Sequence, residues 1–354
     1  MSLLYVESLN RALHDLCASD PRVYILGEDI LDAYGGAFKV TRGLSTRFPG
    51  RVFGTPISEA AIIGLAGGMA MRGLRPVVEI MFGDFLLLSA DQLVNHLCKY
   101  QAMYAGQAEV GVVIRTPMGA GRGYGPTHSQ SLEKFFLGVP NLKVVAPSLF
   151  HSPGDLLKTA VMDPNPVLFI ESKLLYPLPL ITRRSLPQPL SMAERTEDGY
   201  PVVVLSNFDG VDADVTLVTY GGMSRRLLPM LVRLAEQEIR VRCAIPSLIN
   251  RLSAGWLVET TANTTAGCVI WEEGTASFDW GAEVAATLYG AAGANAPPIR
   301  RCAAAPTIVP ANRTLEALAA PEPERVEDMI ISLTDLSLRR QDWIPVSCCS
   351  PRSE

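Results

Sequence analysis

Five short runs of apolar and β-branched residues, interleaved with longer helical stretches, constrain the first half of this chain more than any other feature. The runs are Val23-Tyr-Ile-Leu-Gly, Val77-Val-Glu-Ile, Val110-Gly-Val-Val-Ile-Arg, Leu142-Lys-Val-Val-Ala and Val167-Leu-Phe-Ile-Glu. They are nearly continuously apolar, which suits strands covered on both faces, as in a parallel sheet. Helical patterns occupy 8–18, 58–72, 90–105 and 154–162. Such alternation requires right-handed crossovers and gives a doubly wound α/β domain. After Tyr176 the prolines at 177, 179, 187 and 189, mixed charge and lost periodicity mark a linker. Alternation then resumes with Val215-Thr-Leu-Val-Thr-Tyr, a helix around 224–238, Val241 to Ile245, Cys268-Val-Ile-Trp and a helix from Gly281 to Tyr289. The expected organisation is a doubly wound parallel-sheet domain over 1–180, a linker over 181–210, a smaller α/β domain over 211–338 and a tail over 339–354.

Composition removes several classes of function. At 48% hydrophobic and 19% charged residues the chain builds a substantial core and is not a disordered protein. A net charge of -5 with scattered Lys and Arg offers no basic face for nucleic acid. The apolar stretch over 60–71 is broken by glycines and falls short of the ~20 residues of a membrane span. No secretory signal pattern opens the sequence. Seven cysteines form no CxxC, so buried free thiols in a reducing, cytoplasmic compartment are expected. The four histidines (14, 96, 128, 151) lack metal-ligand spacing.

A few residues stand out as candidates for chemistry. Gly119-Ala-Gly-Arg-Gly-Tyr-Gly125 follows a strand, but its spacing fits neither the P-loop nor the dinucleotide fingerprint. It reads as an active-site loop whose glycines supply positive φ. Glu59, behind a candidate N-cap Ser58, opens an Ala-rich helix at the carboxyl edge of the expected sheet, where open α/β folds bind ligands. A helix-dipole partner and a functional carboxylate are both consistent with that position. His128 lies between the glycine loop and a helix, as an acid, a base, an oxyanion donor or a structural imidazole. Phe82 and Phe85, flanking Gly83-Asp84, read from spacing alone as core aromatics.

Several strings occur together and in order: Gly27-Glu-Asp, Arg51-Val-Phe-Gly-Thr-Pro-Ile-Ser-Glu-Ala, Gly73-Leu-Arg-Pro-Val, Asp84-Phe85, His128-Ser-Gln-Ser-Leu-Glu and Leu142-Lys-Val-Val-Ala-Pro-Ser. With Val269-Ile-Trp-Glu-Glu-Gly and Thr307-Ile-Val-Pro followed by Glu316 in the second half, the chain resembles a known family over about residues 3 to 335. That family is the beta subunit of the thiamine-diphosphate-dependent first component of 2-oxo acid dehydrogenases, of pyruvate and branched-chain type, in the transketolase-like superfamily. The resemblance implies a pyrimidine-binding first domain and a transketolase C-terminal-like second domain. It implies that Glu59 is the cofactor-activating glutamate, hydrogen-bonded to a pyrimidine ring nitrogen so that the thiazolium carbon is more readily deprotonated. Phe85 matches the aromatic that stacks on the aminopyrimidine, and Ile57 and Met81 match its apolar neighbours. His128 matches the histidine facing substrate or the incoming lipoyl group. Val112, Ala160, Val161, Asp163 and Asn165 match a structural potassium site of some relatives. The family's Gly-Asp-Gly stretch for diphosphate and Mg2+ lies in its alpha subunit and is absent here.

The resemblance therefore implies the beta half of an α2β2 heterotetramer that shares thiamine diphosphate and Mg2+ with its alpha subunit. Such an enzyme decarboxylates a 2-oxo acid and acylates a lipoyl arm on an acyltransferase or carrier protein. Two alternatives are distinguishable. Transketolase-like transfer of a two-carbon unit from a ketose phosphate to a carrier protein needs a basic patch, for which Arg115 and Arg122 are the candidates. A non-catalytic scaffold subunit has no need for Glu59, Phe85 and His128 together.

Overall fold

The computed structural model describes residues 3–335, so the expected tail and the Cys348-Cys349 pair lie outside the described residues. The first half contains β1 (Val23–Gly27), β2 (Val52–Gly54), β3 (Arg75–Glu79), β4 (Val113–Met118), β5 (Lys143–Val145) and β6 (Val167–Ser172). They form one sheet in the order β2-β1-β3-β4-β6-β5, and every pairing is parallel. The helices are α1 (Tyr5–Ser19), α2 (Leu44–Arg47), α3 (Glu59–Met71), α4 (Cys98–Met103) and α5 (Pro153–Met162). The strand cores are buried along nearly their whole length, as expected for a sheet covered on both faces.

The second half contains β7 (Ser191–Glu197), β8 (Tyr200–Ser206), β9 (Ala213–Thr219), β10 (Val241–Pro246), β11 (Thr264–Thr275) and β12 (Ile299–Ala304). Its helices are α6 (Leu227–Glu236), α7 (Ala254–Thr261), α8 (Trp280–Ala292), α9 (Arg313–Ala319) and α10 (Pro323–Thr334). The sheet order is β12-β11-β9-β10-β8-β7, with β8 antiparallel to β10 and β7 antiparallel to β8. The linker expected over 181–210 is corrected here, because residues 191–206 form the β7–β8 hairpin at the edge of this sheet. Prolines 187 and 189 only precede β7, where a missing N–H costs no ladder bond.

Two further differences are local. The helix expected over 90–105 contains a π-helical turn at Gln92–Leu97 before α4. Ser58 occupies the N-cap position of α3, but its side chain makes no capping hydrogen bond.

The two sheets are joined through β5. Ala146 N–H donates to Ser247 O (2.7 Å) and Ile249 N–H to Val144 O (2.9 Å), on either side of a bridge between Val145 and Leu248. Tyr220, Ile249, Trp256 and Trp280 of the second domain share one buried cluster with Ile63, Val78 and Ile114 of the first. Each such fully buried large side chain contributes about 1.5–3 kcal/mol, so the domain junction is part of the core.

Candidate active site at the carboxyl edge of the first sheet

Because β1, β2, β3, β4 and β6 are parallel, the segments leaving their carboxyl ends collect on one edge. Glu28 follows β1, and Ile57 and Glu59 follow β2. Met81 and Phe85 follow β3, the glycine loop and His128 follow β4, and Lys173 follows β6.

Glu59 is 4% exposed although it opens a helix. Beside it the Glu28 carboxyl is held above its usual range, mainly by burial and then by the charge of Glu59, with the Ser58 N–H opposing. Glu28 Oε1 is buried without a hydrogen-bond partner, and so are Thr55 Oγ1 and Asp84 Oδ2. Ile57 is 82% exposed, while Met81 and Phe85 are half-buried. Phe85 and Phe82 both pack edge-to-face on the His128 ring, at centroid distances of 5.2 and 4.8 Å. His128 Nδ1 lies 3.0 Å from Thr127 Oγ1. The edge thus brings Phe85 and His128 into contact, while Phe82 lies partly buried between His128 and Phe38.

These residues suit an aminopyrimidine. A buried carboxylate, an aromatic face, an exposed isoleucine and orphaned buried oxygens offer a mix of apolar and hydrogen-bonding groups. A diphosphate-bound metal ion needs several converging oxygen ligands. Among the described residues no group of three or more His, Cys, Asp and Glu could hold a metal ion.

The suggested potassium ligands sit at the opposite edge: Val112 before β4, Ala160, Val161 and Asp163 at the end of α5, and Asn165 before β6. There the Arg75 guanidinium donates to Asp163 O (2.9 Å). Lys143 (2.8 Å) and the Tyr200 hydroxyl (3.2 Å) share Asp163 Oδ2, and the Asn165 N–H donates to Oδ1 (3.0 Å).

The two arginines considered for a phosphate differ, and the buried Arg115 is fully committed to carboxylates. Arg115 is 1% exposed, bidentate to Glu171 (2.7 and 2.8 Å) and bonded to Glu79 (2.8 Å), with Tyr176 also donating to Glu171 (2.8 Å). Arg122 donates to Lys173 O (2.8 Å) and lies over the Phe38 ring.

Some residues at this edge give no signal in the sequence. Lys173 is fully buried, and its ammonium donates to the His128 carbonyl. Burial lowers it to about 8, against the opposing pull of Asp84, Glu273 and Glu316. Glu273 accepts from Ala120 N–H (3.2 Å) and Glu316 from Gly123 N–H (2.7 Å), both reaching over from the second domain. Gly119, at φ +96, has no room for a side chain, since a Cβ there would lie 2.3 Å from Glu273 Oε1. A charged residue closing the apolar run of β6 was the one available hint for Lys173. Glu316 belongs to the string that follows Thr307-Ile-Val-Pro, but it lies 193 residues from its partner, and nothing local indicates the Gly123 amide it accepts from.

The two halves match distinct family models: the transketolase pyrimidine-binding domain over residues 2–179 and the transketolase C-terminal domain over 207–326. The fold is similar to that of a chain described as a split-gene transketolase in an inactive β4 tetramer. The TM-score is 0.71 at 19% identity, covering 94% of this chain and 98% of that one. Fold and edge geometry together define a transketolase-type subunit.

Curated relatives narrow the family. The chain is 35% identical to the 3-methyl-2-oxobutanoate dehydrogenase subunit beta of Mycobacterium tuberculosis (strain CDC 1551 / Oshkosh), over 93% of this chain and 91% of that one. It is 34% identical to the mitochondrial pyruvate dehydrogenase E1 component subunit beta-1 of Arabidopsis thaliana, over 92% and 86%. It is also 34% identical to the acetoin:2,6-dichlorophenolindophenol oxidoreductase subunit beta of Cupriavidus necator, over 90% and 94%. The chain belongs to the family of beta subunits of thiamine-diphosphate-dependent 2-oxo acid dehydrogenase first components.

Proposed function

We propose that this chain is the catalytic beta half of an α2β2 enzyme that decarboxylates a 2-oxo acid and passes the acyl group to a lipoyl arm on an acyltransferase or carrier protein. The observation that carries the reading is the grouping of buried Glu59 with Phe85 and His128 on one sheet edge. Bound thiamine diphosphate supplies the nucleophile and electron sink for decarboxylation. Glu59 holds a hydrogen bond to a pyrimidine ring nitrogen, Phe85 covers the ring face, and Ile57 and Met81 exclude water beside it. His128, half-buried between Phe82 and Phe85, donates to the oxygen of the acyl group and stabilises charge there. The diphosphate and its Mg2+ are assigned to the alpha subunit, because this sequence has no Gly-Asp-Gly stretch.

The state of Arg115 favours a 2-oxo acid over a ketose phosphate, because its guanidinium is buried against Glu79 and Glu171. A scaffold role leaves the burial of Glu59 beside Glu28 without a purpose. A potassium ion at the α5–β6 junction is not part of this proposal, since Asp163 is already committed to Arg75, Lys143 and Tyr200. Free buried thiols at Cys17, Cys98, Cys243, Cys268 and Cys302 support a reducing, cytoplasmic location. No helix among the described residues is long and apolar enough to cross a membrane.

The test is reconstitution with the alpha subunit, thiamine diphosphate and Mg2+, with single-turnover acylation of a lipoyl domain from a panel of 2-oxo acids and ketose phosphates. Acylation from a 2-oxo acid, lost in His128→Ala, is expected. Turnover of a ketose phosphate alone would contradict the reading.

A further inference from the structure

The loop from Gly119 to His128 has no regular backbone pairing of its own, so the contacts that hold it must come from elsewhere. Four of its residues are bound by groups outside it. The Lys173 ammonium donates to the His128 carbonyl. Glu273 and Glu316 take the Ala120 and Gly123 amides, and Arg313 Nε donates to Arg122 O (3.2 Å). Lys173 also lies over the Phe82 and Tyr124 rings, at 5.4 and 5.8 Å from their centroids. Phe82 in turn packs on the His128 ring. The ammonium thus reaches both the backbone of His128 and the aromatic wall against which its imidazole rests.

We infer that Lys173 is the positioning residue for His128, fixing the imidazole from below while Glu273 and Glu316 of the second domain fix the loop that leads to it. This rests on the role proposed above for His128. Lys173 holds His128 through its carbonyl and through the Phe82 and Tyr124 rings, so its effect is expected chiefly at the step His128 serves. An apolar side chain of similar length, as in Lys173→Met, has no donor for that carbonyl, and the loop then shifts. A misplacement of about 1 Å at a reacting group can cost on the order of 100-fold in rate.

Lys173 is also where pH enters. The charged groups facing it are Asp84 from the loop after β3, Glu273 from β11, Glu316 from α9 and Arg122 from the glycine loop. The carboxylates favour the ammonium, whereas burial and Arg122 favour the amine. Its hold on the His128 carbonyl is full below about pH 8 and weakens above it.

The test uses the reconstituted enzyme with Lys173→Met, Lys173→Arg, His128→Ala and the double variant His128→Ala/Lys173→Met. Two readouts are taken: proton exchange at the thiazolium carbon, and single-turnover acylation of a lipoyl domain. Lys173→Met is expected to leave exchange unchanged and to slow acylation roughly 10–100-fold. The double variant is expected to be no slower than His128→Ala, because residues acting through one another are not additive. In Lys173→Arg, whose guanidinium stays charged, the alkaline fall in acylation should move to higher pH. If His128→Ala leaves acylation intact, the role of His128 is wrong. If His128→Ala slows acylation and Lys173→Met does not, or the two losses multiply, the positioning role of Lys173 is overturned. If Lys173→Met fails to assemble, the alkaline limb in Lys173→Arg decides alone: an unshifted limb overturns it.

Discussion

At the scale of single residues, the same side-chain chemistry is given different work by its surroundings. Glu59 and Glu28 are neighbouring carboxyls, yet the orphaned buried oxygen belongs to Glu28, whose proton is held to higher pH by burial and by Glu59. Glu59→Gln keeps size and burial but removes the carboxylate. It is expected to leave the fold and assembly intact and to slow exchange at the thiazolium carbon of the assembled enzyme by orders of magnitude. Exchange at the wild-type rate would remove Glu59 from cofactor activation. Glu59, Phe85 and His128 could be singled out from sequence because each lies beside a strand end or loop that local patterns reveal. The roles of Lys173, Glu273 and Glu316 could not be read there, because their meaning comes from partners 45, 153 and 193 residues away.

Among the elements, the strands of the first sheet are held in register by a buried charge cluster as well as by their ladders. Glu79 pairs across from Arg115 in the β3–β4 register, and β4 brings Arg115 beside Glu171 of β6. Burial raises the Glu79 carboxyl and the Arg115 charge opposes that rise, so the guanidinium compensates two carboxylates removed from water. Arg115→Met leaves both uncompensated and should cost about 3–5 kcal/mol in urea unfolding. A loss under about 1 kcal/mol would mean that water reaches the cluster, as it does at exposed pairs. The long apolar strands were legible because burial on both faces leaves an unbroken run. The β7–β8 hairpin was missed because β7, Ser-Met-Ala-Glu-Arg-Thr-Glu, is a mostly exposed edge strand whose charges and preceding prolines mimic a linker. The three-residue β2 was missed because it is too short to show a period.

For the molecule as a whole, the junction between domains is a chemical seam. Glu133, buried in the first domain, accepts from the Tyr220 hydroxyl of the second, and Asp279 lies nearby with Lys134 at 3.6 Å. Burial and then the charge of Asp279 push the Glu133 carboxyl up to about 8, so the pair holds a proton that the unfolded chain has lost. Stability at the seam is therefore fully present below the ordinary carboxyl range and declines as pH rises from about 4.5 to about 8. Glu133→Gln should flatten that decline. The check is the thermal midpoint of the assembled enzyme at pH 5 and pH 8, where equal losses in wild type and variant would contradict it.

On the function proposed above, this chain holds only the pyrimidine part of the cofactor. Glu59 and Phe85 can bind a pyrimidine, but most of the charge of thiamine diphosphate lies on its diphosphate, which needs a metal ion and fixed donors to leave water. A ring stack contributes about 1–3 kcal/mol, which corresponds to millimolar affinity or weaker. Titration calorimetry of the isolated chain with thiamine diphosphate and Mg2+ tests this division most directly. No micromolar binding is expected until the alpha subunit is added, and micromolar binding by this chain alone would contradict the division.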